Sequence, residues 1–172
     1  PPGNAGRHTF YPEIVRVPEV SAPDVRNRSY SITARLGIPE KGAEGVLVAL
    51  GGTMGGYALF VQEGRICYEH NLLGLQRYFI RSDRLLEPGK REVRFEFKSD
   101  AKGPGSGGTA TFYIDNEKAG EGRIERTVPV RFTVSETFDI GLDLNSPVST
   151  KYRENAPYAF TGDIETVLFE LH

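Results

Sequence analysis

The chain has 172 residues, enough for one domain that buries roughly 70% of the surface its unfolded form exposes. Twenty glycines and eleven prolines are too many breakers for a helical bundle and suit short strands joined by tight turns. A net charge of −2 with both signs interspersed supplies no basic field for nucleic acid or an anionic membrane, and no apolar run reaches bilayer length.

In chain order, Pro1-Pro2-Gly3-Asn4-Ala5-Gly6 reads as a linker remnant. With Met54 the only methionine, the chain is expected to be a piece of a longer protein, its single domain running over 7–172. Asn27-Arg28-Ser29 matches a glycosylation acceptor, a weak three-letter signal. Ile32, Ala34, Leu36 and Ile38 alternate with Ser31, Thr33, Arg35 and Gly37, as a half-buried strand requires. "GVLVAL" at 45–50 is apolar on both faces and predicts a strand in the middle of the packing. Glu63-Gly64 closes a hairpin between 57–62 and 65–71. Over 71–86 a helical face through Leu72, Leu75, Phe79 and Leu86 competes with alternation of Arg77, Phe79 and Arg81; Gly74 favours strand. Val93, Phe95 and Phe97 mark another strand, "AKGPGSGG" at 101–108 a flexible connection, and Ala110, Phe112 and Ile114 the strand after it. Asp115-Asn116 makes the next turn, and Val167, Phe169 and Leu171 the last strand. About a dozen short strands with almost no helix predict an all-β fold: a two-sheet antiparallel β-sandwich of jelly-roll or concanavalin A-like type. An immunoglobulin-type domain is too small and lacks its cysteines and tryptophan here.

Each motif with chemical potential has a plainer reading. "GGTMGG" at 51–56 begins like a phosphate loop, but "YALFVQ" after it is a strand, and no helix with Lys-Ser/Thr follows. It reads as a tight bend. Cys67 lies mid-strand with no base beside it, since alternation sends His70 to the other face with Ile66 and Tyr68. A packed thiol is expected, and the lone cysteine excludes an internal disulfide without choosing a compartment. His8, His70 and His172 have no metal spacing. Glu136, Asp139, Asp143 and Asn145 could hold calcium, but solvated turns and strand ends are the preferred reading. The E-x-D-x-E arrangement that would set glycosidase carboxylates on one face is absent. Fifteen of the 21 basic residues are arginine, with Arg77, Arg81 and Arg84 in one group and Arg123, Arg126 and Arg131 in another. Surface ion pairing is their expected use. No catalytic residue and no metal ligand is assigned in this chain.

Read as phrases, "RHTFYPE", "NRSYSITARLGIPEKGAEGVLVALGG", "GGYALFVQEGRICYEHNLLGLQRYFIRSD", "GKREVRFEF", "GGTATFYIDNEKAGEGRIERTVPVRFTVSETFDIGLDLNSPVSTKY" and "FTGDIETVLFEL" resemble the carboxy-terminal region of large bacterial arylsulfatases. The likeness runs through nearly the whole chain from about residue 7. In that family the nucleophile is a formylglycine hydrate made from a C/S-x-P-x-R signature, beside a divalent cation held by carboxylates, all in the amino-terminal catalytic domain. Here Cys67 is followed by Tyr68, Glu69, His70 and Asn71, so Pro and Arg are missing. Ser21-Ala22-Pro23-Asp24-Val25 has Val where Arg is needed. The resemblance therefore implies a non-catalytic sandwich without a cofactor of its own, whose partner is the catalytic domain of a parent sulfatase and which shapes access to it. The alternative is a carbohydrate-binding module whose partner is a sulfated or plain glycan. With no Trp, it would rely on exposed Tyr and Arg; Asn71, Arg77 and Tyr78, following the Gly-bounded hairpin, are the nominees. A free-standing glycosidase ranks third.

Overall fold

The computed structural model describes residues 6–172. Of the linker expected over 1–6, residues 1–5 lie outside the described part, and the carbonyl of Gly6 accepts a hydrogen bond from Leu171 N at 2.6 Å.

Twelve strands follow in order: β1 Arg7–Phe10, β2 Val17–Pro18, β3 Tyr30–Ile38, β4 Gly45–Gly52, β5 Gly55–Gln62, β6 Arg65–Leu72, β7 Gln76–Leu85, β8 Gly89–Ser99, β9 Ser106–Ile114, β10 Glu117–Arg126, β11 Thr137–Ile140 and β12 Asp163–Leu171. They form two six-stranded antiparallel sheets, β1-β12-β3-β8-β9-β10 and β2-β11-β4-β5-β6-β7. This is the all-β sandwich that the alternation predicts. The stretch over 71–86 is strand, with Leu73 and Gly74 at positive φ turning the chain between β6 and β7. Glu63-Gly64 and Asp115-Asn116 take positive φ at both positions, as two-residue hairpin loops require. The connection placed at 101–108 is shorter: β9 already starts at Ser106.

Ile32, Ala34 and Leu36 of β3, Val93, Phe95 and Phe97 of β8, and Phe112 of β9 meet Leu59, Tyr68 and Phe138 of the other sheet in one buried layer. Tyr68 stacks on Phe95 with centroids 3.9 Å apart, and its hydroxyl meets that of Tyr30 at 2.5 Å, so the two buried phenols satisfy each other across the sheets.

β4 is buried on both faces for a reason its sequence hints at. An irregularity in register between Val46 and Val48 resets the alternation. Leu47, Val48 and Leu50 therefore enter the layer between the sheets, and Val46 and Ala49 point outward. The outward face is covered by the chain between β11 and β12, whose Val148, Tyr152 and Tyr158 pack on Val46, Ala49, Ala58, Phe60 and Cys67. This strap makes a second, smaller core.

A candidate cleft at one end of the sandwich

The sequence-nominated groups are mostly inside. Cys67 is buried in the second core, and burial pushes its thiol up to about 12, so it is protonated and unreactive at neutral pH. His70 faces the other way, against Phe132, and its Nε2 accepts from Val128 N at 3.1 Å. Burial lowers its pKa to about 4, which keeps the ring neutral.

Of the group 136–145, Asn145 is exposed in a turn as expected, but the two aspartates are not solvated. Asp139 and Asp143 are fully buried because the strap folds over them. Asp139 accepts from Arg16 N at 2.6 Å, from Leu144 N at 3.2 Å and from the Thr137 hydroxyl. Asp143 accepts from Val148 N at 2.8 Å and from the Tyr152 hydroxyl, while its Oδ1 has no partner. Burial dominates, and the Asp143 carboxyl is pushed up to about 7. Among the described residues, no group of three or more His, Cys, Asp or Glu side chains is arranged to hold a metal ion.

Asn71, Arg77 and Tyr78 do not form one surface. Asn71 is completely buried. Its Nδ2 donates to Gly52 O, Thr53 O and Val148 O at 3.0, 2.9 and 3.3 Å, and its Oδ1 accepts from Gly74 N at 2.8 Å. It pins three segments together and has nothing left to present, which corrects its nomination as a ligand contact. Arg77 lies opposite it in register, donates to Thr53 O at 3.2 Å and to Val148 O, and stands 3.7 Å from buried Glu69. That is an internal role, in contrast to the expected surface pairing, which Arg84–Glu117 and Arg123–Asp100 do show. Tyr78, paired in register with His70, packs partly against the core between the sheets, on the face away from Arg77. Asn27 is also engaged: its Nδ2 donates to Pro129 O at 2.8 Å and its Oδ1 accepts from Gly105 N.

What these internal contacts support is a cleft of about 410 Å³ at the end of the sandwich. The bend at 51–56 forms its floor, and glycine there is a packing requirement. A Cβ on Gly52 would collide with Ser146 Oγ and come within 2.8 Å of the Glu136 carboxyl carbon; one on Gly55, where φ is +149°, would strike Phe132 O. The absence of side chains thus lets the 131–136 segment and Ser146 lie directly on the hairpin. Thr53 N donates to Ser146 Oγ at 3.0 Å, and that hydroxyl donates to Glu136 Oε1 at 2.8 Å. Glu136 Oε2 has no protein donor. Glu19 fastens the far wall by accepting from Phe132 N and Thr133 N, both at 3.0 Å.

The walls are apolar and exposed: Val134 is 82% accessible, Met54 73% and Leu73 41%. Arg131 and Thr133 supply polar edges. A preformed cleft with apolar walls and a few fixed polar groups suits a small polar molecule with a hydrocarbon face. Sequence reasoning missed it because its parts come from four separate segments. The one local signal was the four glycines within 51–56.

No protein-family model matches this chain, and no curated protein matches it. Solved structures do. Two structures of the CBM40 of Ruminococcus gnavus IT-sialidase, bound to α2,3 and to α2,6 sialyllactose, superpose with a TM-score of 0.62 at 12% identity. Each likeness covers 98% of this chain, and 92% or 93% of theirs. Domains LG4-5 of the mouse laminin α1 chain give a TM-score of 0.57 at 19% identity, over 98% of this chain and 42% of that one. At these identities the likeness is one of fold.

Proposed function

We propose that this chain is a non-catalytic recognition domain that binds a glycan in the end cleft. The observation that carries the proposal is the cleft itself: glycine-floored, braced by Asn71 and Arg77 from behind, and mixing apolar walls with fixed hydroxyl and carboxylate groups. Sugars have that dual character, with C–H faces and hydroxyl rims, and a braced cleft loses little ordering entropy on binding them. The fold supports the reading, because the CBM40 modules it resembles were solved with sialyllactose in place. The non-catalytic part draws support from Cys67 and His70: both are buried, the thiol is protonated, and the imidazole Nε2 is occupied by Val128 N. A glycan-array screen of the purified chain tests the proposal. Binding that Leu73→Asp and Met54→Asp each abolish supports it; an array without hits ends it.

A second, compatible reading rests on the arylsulfatase-like phrases, whose order and number extend across the chain. In it the domain is the tail of a sulfatase, packed on the catalytic domain and shaping access to it. The isolated chain then hydrolyses no aryl sulfate, and the parent loses stability when truncated near residue 7. Robust aryl sulfate turnover by the purified chain would contradict this.

A further inference from the structure

We infer that the cleft selects neutral glycans and turns away sulfated and carboxylated ones, an inference that rests on the glycan-binding reading. Recognising a sulfate or carboxylate calls for an unspent cation, usually an arginine fork. Among the described residues, Arg131 is the one cation lining the cleft. Its side chain is half exposed, and its Nε lies 3.7 Å from Oε2 of Glu19, whose own side chain is almost wholly covered. Arg77, the other arginine near the hairpin, turns its guanidinium away, onto Thr53 O, Val148 O and Glu69. Against the floor lies Glu136, whose Oε1 accepts from Ser146 and whose Oε2 is buried without a protein donor.

An anion entering the cleft would thus come up against a buried carboxylate behind the floor and one arginine that already faces an acid. A neutral sugar meets no such penalty. Its C–H face can rest on Met54, Leu73 and Val134, and its hydroxyls can reach the hydroxyl of Thr133 at the edge. The cleft therefore departs from the ligand carried by the CBM40 structures, and from the sulfated glycan that the arylsulfatase resemblance would suggest.

An array carrying galactose-, glucose- and mannose-based oligosaccharides, each in neutral and sulfated form, with lactose beside sialyllactose, reads this directly. Neutral members are expected to bind roughly tenfold or more tighter than their anionic counterparts at equal ionic strength. Val134→Arg places a cation on an exposed wall where folding is not at stake, and is expected to shrink or reverse that ratio; Glu136→Gln, which keeps an acceptor for Ser146, should shift it the same way. Anionic members binding as well as or better than neutral ones would overturn the inference and leave the glycan reading intact. A ratio that neither variant moves would overturn the assignment to this cleft, and an array silent for both classes would remove inference and reading together.

Discussion

Between the two sheets the buried material is hydrocarbon and aromatic ring, with Tyr30 and Tyr68 sharing one hydrogen bond and His70 accepting another. Under the strap, on the outer face of the second sheet, a comparable depth holds Glu69, Asn71, Asp143 and Ser149 beside Phe60 and Tyr152. The first layer follows from side-chain alternation along neighbouring strands. The second depends on a segment that returns from far along the chain, 77 residues on in the Asn71–Val148 hydrogen bond, and it is held by donors and acceptors that must all find each other. Each layer carries its own pH response: the first holds the neutral imidazole of His70, and the second holds buried carboxylates, with Asp143 Oδ1 lacking any partner and Glu69 Oε2 having only Arg77, 3.7 Å away.

The contrast predicts graded effects. The largest belongs to the hydrocarbon layer: Phe95→Ala removes the ring stacked on Tyr68 and should cost about 3–5 kcal/mol in denaturant unfolding. Asn71→Ala should cost about 2–3 kcal/mol, since it strips partners from Gly52 O, Thr53 O and Gly74 N, and it should also loosen the cleft and weaken glycan binding. If Asn71→Ala left both unchanged, the polar layer would be decoration.

The pH response separates the two layers. Folded Asp143 holds its proton to about pH 7, whereas unfolded Asp releases it near 3.8, so the folded state binds more protons across that window. Its contribution to stability is full below that window and is lost as pH rises through it. Folded His70 stays neutral down to about 4 while unfolded His protonates near 6.5, so its contribution is lost as pH falls. The two slopes oppose each other. Asp143→Asn should leave stability falling more steeply on acidification than in the parent, and His70→Gln should do the reverse. Each difference approaches about 1.4 kcal/mol per pH unit at most, measured as the variant-minus-parent unfolding free energy between pH 4 and 6.5. The smallest effect is at the rim: Val134→Ser should change stability by less than about 0.5 kcal/mol while lowering glycan affinity.

Much of the fold was legible because its determinants are local. Ile32 to Ile38, Val93 to Phe97 and Ala110 to Ile114 alternate cleanly, and Glu63-Gly64 and Asp115-Asn116 announce their turns. The face assignment of Cys67 and His70 follows from the same period. What local pattern cannot convey is which face a distant segment covers. Asp139 and Asp143 read as solvated because nothing in "SETFDIGLDLNSP" signals the strap's return. Asn71 was nominated for following the Gly-bounded hairpin, but that position could not show that Gly52, Thr53, Val148 and Gly74 would consume its amide. The glycines at 52 and 55 were read as a bend, which they make; that they also admit Ser146 and Phe132 is a contact between segments far apart in sequence.

The central claim is that recognition happens at the end cleft, and amide chemical-shift mapping during titration with a neutral oligosaccharide that binds tests it most directly. The account predicts saturable shifts concentrated at Gly52 to Gly55, Leu73 and Arg131 to Glu136, with the strands of the first sheet unmoved. Shifts concentrated instead on the outward face of β3, β8 and β9 would contradict it.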